Sequence, residues 1–265
     1  MSEQNITKKY AVITGASAGI GTCFAEKLAK KGYSLVLVAR RRERLETLAK
    51  SLKENYDTHS EIVICDVSKL EECEQLIKAI EHLPVEVFIN NAGFGDCNYF
   101  LEGDLEKELN MVDVNIKALH YLMKQMLVRM QKNNHGYLLN VASSAGLLPA
   151  GPYMATYYAT KAYVTSITQA VARELKEAKS NVYVGCLCPG PVDTEFNKVA
   201  SVEFALKGIS ADYCAEYGLK GMFGKKTVII PTFQMKLLLT LGKFIPRGLY
   251  VAITAMQQKR KLYRG

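Results

Sequence analysis

The stretch that decides the fold reads Tyr10-Ala-Val-Ile-Thr-Gly-Ala-Ser-Ala-Gly-Ile-Gly21. Its first five residues form a short apolar run, which is typical of a strand buried on both faces of a sheet. Three glycines follow, and helical apolar spacing then extends from Thr22 to Lys31. This order predicts a loop whose backbone N–H groups bind a dinucleotide pyrophosphate at the helix N-terminus. The alternative is a tight turn without a ligand.

The same alternation of apolar runs and helical patterns continues along the 265 residues. Further strands are predicted at Ser34–Ala39, Glu61–Cys65, Val85–Ile89, Gly136–Ala142, Asn181–Cys188 and Thr227–Ile230. Helices are predicted at Arg41–Glu54, Lys69–His82, Leu105–Gln131 (one helix or two) and Thr156–Lys179. A looser helical pattern covers Lys198–Gly221. Two further helices are predicted to begin at Pro231 and Pro246, since proline is favourable in a first helical turn. Strands that alternate with helices indicate a parallel sheet covered on both faces, and we expect a single α/β domain.

Composition narrows the class of protein. Apolar residues make up 49 % of the chain and the net charge is +8, so anionic partners are favoured. The seven cysteines form no Cys-x-x-Cys and the four histidines form no cluster, so neither a disulfide framework nor a metal site is expected. The polar N-terminus and the lack of a long apolar run predict a cytoplasmic protein, and we expect no nucleic-acid partner. The basic runs at residues 40–42, 225–226 and 259–261 are interpreted as solvated faces, apart from Arg40.

The end of the second strand favours one cofactor. An acid at this position would bind the adenosine ribose of NAD, but the sequence has Ala39 and then Arg40. A guanidinium offers a planar, charge-assisted fork to a phosphate, so Arg40, assisted by Arg41, favours the 2′-phosphate of NADP(H) over NAD(H).

A second local pattern, a tyrosine four residues before a lysine, indicates a site for proton transfer. Tyr157 and Lys161 are four residues apart and would share one face of a helix. A neighbouring ammonium favours the phenolate and so lowers the pKa of a tyrosine, which otherwise lies near ~10. Tyr158 adjoins Tyr157 but is three residues from Lys161, so we interpret it as a packing residue.

Several short motifs follow one another along residues 8–196. They are Thr14-Gly-Ala-Ser-Ala-Gly-Ile-Gly21, Asn90-Asn-Ala-Gly93, Asn115, Ser144, Tyr157-x-x-x-Lys161 and Pro189-Gly-Pro-Val-Asp-Thr194. Together they resemble the short-chain dehydrogenase/reductase family, and the overall character is similar to its hydroxysteroid dehydrogenase-like branch. The resemblance implies a Rossmann-type doubly wound fold with seven parallel strands. It also implies a cofactor and catalytic core at 8–196, a substrate lid at 197–225, and a last strand with C-terminal helices at 226–265.

The resemblance further implies a role for each matched residue. The cofactor-binding residues would be Thr14, Gly15, Ser17, Gly19, Ile20, Gly21, Asp66, Val67, Asn91, Gly93, Pro189, Val192 and Thr194, beside Arg40, Arg41, Tyr157 and Lys161. The catalytic residues would be Asn115, Ser144, Tyr157 and Lys161, with Tyr157 as general acid/base between a ketone and a secondary alcohol. The family spacing of thirteen residues before the tyrosine selects Ser144 as the hydroxyl donor, and Ser143 is the alternative.

The sequence indicates the class of substrate and the role of the C-terminal tail only in general terms. Residues 147–156 and 195–225 are expected to line the substrate side, and their apolar members predict a steroid, bile acid, fatty or aromatic carbonyl substrate. These members are Leu147, Leu148, Tyr153, Met154, Phe196, Val199, Phe204, Tyr213, Tyr217, Met222 and Phe223. The basic, apolar tail at 231–260 is interpreted first as lid or homo-oligomer packing and second as a peripheral membrane contact. A catalytically silent NADP-binding scaffold protein is the alternative function.

Overall fold

Seven parallel strands form the main sheet of the described residues, which in this computed structural model are 9–195 and 208–262, with side chains to 259. These strands are β1 (Tyr10–Thr14), β2 (Ser34–Ala39), β3 (Ser60–Ile64), β4 (Val85–Asn90), β5 (Tyr137–Val141), β6 (Tyr183–Leu187) and β9 (Val228–Ile229). Their order is β3-β2-β1-β4-β5-β6-β9. A short parallel pair, β7 (Val192–Asp193) and β8 (Ile209–Ser210), lies apart from this sheet.

Helices connect these strands. They are α1 (Gly19–Lys30), α2 (Arg42–Tyr56), α3 (Leu70–Ala79), α4 (Leu105–Val112), α5 (Leu119–Lys132), α6 (Ala155–Glu177), α7 (Ala211–Phe223), α8 (Phe233–Gly242) and α9 (Arg247–Leu262). A π-helical turn at Asp113–Ala118 joins α4 to α5, and a 3₁₀ turn at Ser144–Leu147 precedes α6. The long helix predicted at 105–131 is therefore two helices with a π turn between them.

The sheet has a hydrophobic core on each face because successive side chains of a strand point to opposite sides. Val12 and Phe88 pack in one core, together with residues of α3, α5 and α6. Ile13 and Leu37 pack in the other, together with residues of α1, α2 and α7. Replacing a fully buried side chain such as Phe88 by alanine is expected to cost about 3–5 kcal/mol of stability. The seven-stranded, doubly covered sheet and the single domain with C-terminal helices confirm the fold predicted from sequence.

The strand order reverses between β1 and β4, whose connections run to opposite sides of the sheet. In open parallel sheets a crevice forms at such a point, beyond the carboxyl ends of the strands. The fold therefore places the loops after β1 and β4 at the expected ligand-binding position.

In the C-terminal part, helices follow Pro231 and Pro246, as the sequence predicts. Residues 196–207, which include part of the predicted lid and its Phe196, Val199 and Phe204, lie outside the described residues. The described remainder forms α7, which Ser210 caps by accepting the N–H of Tyr213 at 3.1 Å. Among the described helices, none is both long and apolar enough to cross a membrane.

Candidate active site

A cleft of about 910 Å³ is lined by the residues that follow the strands of the main sheet. Gly15 follows β1, Arg40 follows β2, Asn91 follows β4, and Pro189 follows β6. The predicted cofactor residues on its wall are Gly15, Ser17, Gly19, Ile20, Arg40, Arg41, Asp66, Val67, Asn91, Gly93, Tyr157, Lys161, Pro189, Val192 and Thr194. The structure thus brings residues that follow five strands of the main sheet, together with residues of α1 and α6, to a single cavity.

The glycine loop needs its glycines for backbone shape and for space. Gly15 and Gly19 have φ angles of +66° and +57°, in the left-handed region that favours glycine. A Cβ on Gly15 would lie 2.9 Å from the Nδ2 atom of Asn91. Helix α1 begins at Gly19, and Ala18 before it has no side-chain cap. The N–H groups of the first turn are therefore left to bind an anion in the cleft.

Two predicted cofactor residues lie behind the cleft rather than on it. The Thr14 hydroxyl accepts the backbone N–H groups of Asn91 and Ala92, each at 3.0 Å, and Thr14 is 1 % exposed. Asn91 returns a bond from Nδ2 to the carbonyl of Thr14 at 2.9 Å. A Cβ on Gly21 would overlap the carbonyl oxygen of Gly15. Thr14 and Gly21 are therefore positioning residues, which hold the two central loops and the start of α1 together.

Arginine side chains lie at the edge of the cleft where β2 ends. The side chain of Arg40 is 71 % exposed, and its Nη1 lies 3.9 Å from the Oδ2 of Asp66. Arg41 donates to the Ser17 hydroxyl at 3.2 Å and to the carboxylate of Glu195 at 3.1 Å. Arg44 also donates to Glu195, at 2.8 Å, and the two guanidiniums hold the pKa of that carboxylate below its usual range. The sequence pattern gave no sign of Glu195 or Arg44, because neither belongs to a local motif.

Tyr157 and Lys161 lie on α6, and both are buried. The Lys161 ammonium donates to the carbonyl of Val141 at 2.9 Å and lies 5.9 Å from the centroid of the Tyr157 ring. Gly93 leaves room for this ammonium, since a Cβ there would lie 3.3 Å from it. The i,i+4 spacing therefore places a phenol and an ammonium together in the cleft, as predicted.

Burial controls the protonation of this pair. Desolvation raises the pKa of Tyr157 to about 12, although a hydrogen bond with Ser143 lowers it in part. Desolvation also lowers the pKa of Lys161 to about 8. The expectation that Lys161 lowers the tyrosine pKa is therefore outweighed here, because removing both groups from water favours both neutral forms.

The two neighbouring serines have different positions. Ser143 continues the extended backbone of β5, and its hydroxyl accepts the N–H of Ala145 at 3.1 Å. The same hydroxyl is close enough to the Tyr157 phenol to lower its pKa. Ser144 begins the 3₁₀ turn and donates its backbone N–H to the carbonyl of Pro189 at 2.8 Å. Both line the cleft. The geometry favours Ser143 as the hydroxyl beside the phenol, whereas the family spacing selects Ser144.

Asn115 lies in the π-helical turn and is fully buried beside the cleft wall. Its Nδ2 donates to the carbonyl of Phe94 at 2.9 Å and to the Thr160 hydroxyl at 3.1 Å. Its Oδ1 accepts the N–H of Phe94 at 3.1 Å. The side chain therefore ties the loop after β4 to α6, one residue before Lys161.

Apolar side chains pack around the Tyr157 end of the cleft, where Phe94, Leu148 and Met154 join the two tyrosines, and polar side chains complete the wall. Of the apolar residues predicted to line it between positions 147 and 156, Leu148 and Met154 do so. The predicted Tyr213, Tyr217, Met222 and Phe223 do not, since α7 packs against α1 on one face of the sheet. Residues that the sequence left unassigned complete this wall, namely Phe94, Lys107, Asn110, Val114, Met235, Leu238, Gln257 and Gln258. Helices α8 and α9 therefore contribute side chains to the cleft wall.

Tyr158 is more than a packing residue. It is 7 % exposed, lines the cleft, and its hydroxyl accepts a hydrogen bond from the Nε2 of Gln258 on α9. The Oε1 of Gln258 is buried without a hydrogen-bond partner within the described residues. This contact joins the C-terminal helix α9 to α6 at the cleft.

The donor set fits a dinucleotide. The uncapped N-terminus of α1 and the glycine loop suit a pyrophosphate, and the guanidiniums of Arg40 and Arg41 suit a further phosphate. Tyr157 and Lys161 lie along the same cleft as this loop. Such an arrangement can hold a nicotinamide cofactor with its reactive end beside the phenol.

Comparison with known sequences agrees with this geometry. The family model for short chain dehydrogenases matches residues 9–203. An uncharacterized oxidoreductase from Staphylococcus saprophyticus is 38 % identical over 188 residues, which cover 70 % of this chain and 79 % of the relative. A very-long-chain 3-oxoacyl-CoA reductase from Danio rerio is 31 % identical over 195 residues, which cover 72 % of this chain and 60 % of the relative.

Solved structures show the same architecture with nicotinamide cofactors bound. A short-chain dehydrogenase from Sphingobium yanoikuyae in complex with NADPH superposes with a TM-score of 0.80 at 28 % identity, covering 90 % of this chain and 97 % of that one. A short-chain dehydrogenase/reductase from Burkholderia phymatum in complex with NAD gives a TM-score of 0.81 at 25 % identity, covering 92 % and 95 %. With the matched family model and the site geometry, these likenesses show that the chain belongs to the short-chain dehydrogenase family of oxidoreductases.

Proposed function

We propose that this protein is an NADP(H)-dependent oxidoreductase that interconverts a ketone and a secondary alcohol on an apolar substrate. The observation that carries the proposal is the meeting of the Tyr157 phenol, the Ser143 hydroxyl and the Lys161 ammonium at the apolar end of a cleft that has arginines at its other end. Bound NADPH supplies the hydride that the carbonyl carbon accepts.

Tyr157 acts as the general acid. Because burial raises its pKa to about 12, the phenol holds its proton at neutral pH and can donate it to the oxygen of the ketone. In the reverse direction the phenolate would take the proton of the alcohol.

Ser143 and Lys161 assist this step. The Ser143 hydroxyl is positioned to donate to the same carbonyl oxygen, where negative charge develops in the transition state. Ser144 remains the alternative donor. The Lys161 ammonium adds positive charge near the phenol and is held by the carbonyl of Val141. Asn115 orders this environment through Phe94 and Thr160 rather than by contact with substrate.

The choice of NADP(H) over NAD(H) rests on charge at the end of β2. Ala39 stands where an acid would bind the ribose hydroxyls of NAD, and Arg40 and Arg41 offer guanidiniums to a phosphate. The NADPH bound to the Sphingobium protein supports this choice, and the NAD bound to the Burkholderia protein makes direct measurement necessary.

The substrate class follows from the cleft wall. Phe94, Leu148, Met154 and Leu238 favour a bulky apolar carbonyl compound such as a steroid, bile acid, fatty or aromatic ketone. The name of the Danio rerio relative, a very-long-chain 3-oxoacyl-CoA reductase, supports the fatty member of this group. We assign residues 8–196 to the cofactor and catalytic core and 226–265 to the last strand and C-terminal helices. Of the lid predicted at 197–225, the described helix α7 packs against α1 and does not line the cleft, so we place the substrate wall on α8 and α9 instead.

We further propose a cytoplasmic homo-oligomer that also touches a membrane through its C-terminal tail. All seven cysteines are free, which suits a reducing compartment. Leu101, Leu105 and Leu109 are exposed on and before α4 among charges of both signs, and this mixture suits a protein contact. A silent scaffold protein is not favoured, because such a protein has no chemical need for the tyrosine, lysine and serine together.

Replacement of Tyr157 by phenylalanine tests the function. We expect Tyr157→Phe to abolish turnover of a panel of steroid, bile-acid, aliphatic and aromatic ketones with NADPH, while NADPH binding followed by fluorescence persists. Tyr158→Phe is the matched control and should keep measurable turnover. Equal turnover by wild type and Tyr157→Phe would remove Tyr157 as the acid, and no turnover by wild type on any ketone would favour the silent scaffold.

A further inference from the structure

The C-terminal helices combine exposed apolar residues with an unusual charge distribution. Residues 217–265 contain ten lysines and arginines and no acid, whereas residues 1–216 contain 24 basic and 26 acidic residues. The entire positive excess of the chain therefore lies in its last 49 residues. Its basic runs looked like separate solvated faces when each was considered alone, but they belong to one cationic segment.

Helix α8 is apolar on its outer side. Phe233, Leu237, Leu241 and Phe244 follow the spacing i, i+4, i+8 and i+11, which places them on one face of a helix that continues into its C-terminal turn. All four are exposed, with Phe233 at 75 % and Phe244 at 83 %. The opposite side of the helix is buried at Leu239 and Gly242. Leaving four large apolar side chains in water is unfavourable unless a partner covers them.

Cations flank this apolar face. Lys243 and Arg247 are exposed on either side of Phe244 in the turn between α8 and α9. Helix α9 adds exposed Leu249 and Met256, seven residues apart, and exposed Lys259. A large apolar residue between two basic ones, with no acid nearby in sequence, is typical of a segment that inserts apolar side chains among lipids while its cations meet anionic headgroups.

We propose that the outer face of α8, together with the α8–α9 turn, docks the protein on an anionic membrane surface. Charge decides between this occupant and a second copy of the chain. A second copy of this face offers no acid to pair with Lys243 and Arg247, whereas anionic lipid neutralises them. The exposed leucines of α4 differ, since Glu102, Asp104, Glu106 and Glu108 accompany them.

The docking face shares a helix with the cleft. Met235 and Leu238 of α8 line the apolar end of the cavity, next in sequence to the exposed Leu237. Docking through α8 would therefore bring one wall of the substrate cleft to the lipid surface. If the proposed ketone chemistry holds, this position suits a substrate dissolved in the bilayer, and that last step alone rests on the proposed function.

Vesicle sedimentation tests the docking without measuring any turnover. We expect the full-length protein to sediment with vesicles of phosphatidylcholine and phosphatidylglycerol, to bind vesicles of phosphatidylcholine alone much more weakly, and to dissociate as salt is raised. Lys243→Gln/Arg247→Gln should lower binding roughly thirtyfold, since each cation near such a surface contributes about a factor of five. Leu237→Ser/Phe244→Ser should lower binding at least about tenfold.

The control is Leu105→Ser/Leu109→Ser, which removes two exposed leucines from α4 and should leave vesicle binding unchanged. Turnover of a water-soluble ketone should be equal in wild type and Leu237→Ser/Phe244→Ser, because neither residue lines the cleft. The proposal is overturned if wild type does not bind anionic vesicles, if the α8 variants bind like wild type, or if sedimentation equilibrium shows a wild-type dimer that Leu237→Ser/Phe244→Ser converts to a monomer.

Discussion

Ser143 and Tyr157 line the same cleft, and hydrogen bonding to the Ser143 hydroxyl lowers the pKa of the Tyr157 phenol against the larger, raising effect of burial. Ser143 follows Ala142 in extended backbone, so its side chain is presented at the end of β5, the strand whose Val141 carbonyl also holds Lys161. One strand end therefore positions both Ser143 and Lys161 beside Tyr157. A carbonyl oxygen that accepts from Tyr157 would lie within reach of the Ser143 hydroxyl as well.

The first prediction separates the two serines. Ser143→Ala should lower kcat/KM for a ketone substrate about a hundredfold, as expected when one donor to a developing oxyanion is lost. Ser144→Ala should lower it less than about tenfold, and Ser143→Thr should restore activity because it keeps the hydroxyl. Steady-state kinetics with NADPH measures all three. If Ser144→Ala is the more damaging change, the family spacing identifies the donor and Ser143 is only a cap of the 3₁₀ turn.

The second prediction concerns the free energy of unfolding and its pH dependence. Burial lowers the pKa of Lys161 from 10.5 to about 8, so the folded state binds fewer protons than the unfolded state between these values, and stability rises with pH across that window. Below about pH 8 the buried cation costs on the order of 3 kcal/mol. Lys161→Met should therefore raise the free energy of unfolding at pH 7. Loss of the hydrogen bond to Val141 reduces this gain by about 1 kcal/mol. The gain should fade by pH 10, where the lysine is neutral in the folded state.

Urea denaturation at pH 7 and pH 10 measures this difference. The control is Lys176→Met, which replaces an exposed lysine of the same helix and should change stability little at either pH. A gain from Lys161→Met of equal size at both pH values would mean that packing of the methionine, and not removal of the charge, is responsible.

The third prediction tests the phosphate site. Arg40→Asp should lower the preference for NADPH over NADH roughly tenfold to a hundredfold, because it removes a charge-assisted bond to the 2′-phosphate and offers a carboxylate to the ribose hydroxyls. Dissociation constants for both cofactors from fluorescence titration give the ratio. Arg42→Asp is the control, since Arg42 is exposed but does not line the cleft. An unchanged ratio in Arg40→Asp would leave Arg41 as the phosphate ligand.

The fourth prediction concerns the size of the substrate pocket. Leu238→Trp should raise KM for bulky ketones more than for small aliphatic ketones, because the larger side chain fills the apolar end of the cleft. Leu237→Trp, one residue earlier and outside the cleft, should leave both KM values unchanged. KM measurements on two ketones of different size decide the matter, and a uniform effect of Leu238→Trp on both would argue against a role for α8 in selecting the substrate.

Most of the strands and helices could be predicted from local sequence patterns. The apolar runs at Tyr10–Thr14 and Ser34–Ala39 became β1 and β2, and Pro231 and Pro246 each preceded a C-terminal helix, α8 and α9. Regular strands and helices can be predicted because their apolar residues recur with a fixed period, which shows which side of the element is buried. The π turn at Asp113–Ala118 was not readable, since it interrupts a continuous helical pattern without glycine or proline.

Contacts between distant segments were less readable. The bond from Gln258 to Tyr158 joins residues 100 positions apart, and Glu195 meets Arg41 and Arg44 more than 150 positions away. Thr14 and Gly21 match the family motif, yet they hold loops together behind the cleft. A motif shows which residue types occur in a loop, but not which of them face the cavity.

By itself, the sequence determined a doubly wound sheet, a glycine loop after β1, and a tyrosine and a lysine on one helical face, because each of these depends on residues within one turn or one strand of each other. Only the tertiary structure decided that Ser143 and Tyr157 share one cleft, that burial outweighs the charge of Lys161, and that α8 and α9 rather than α7 line that cleft. Irregular turns have no period to fix where a side chain points, and desolvation depends on everything that packs around a group.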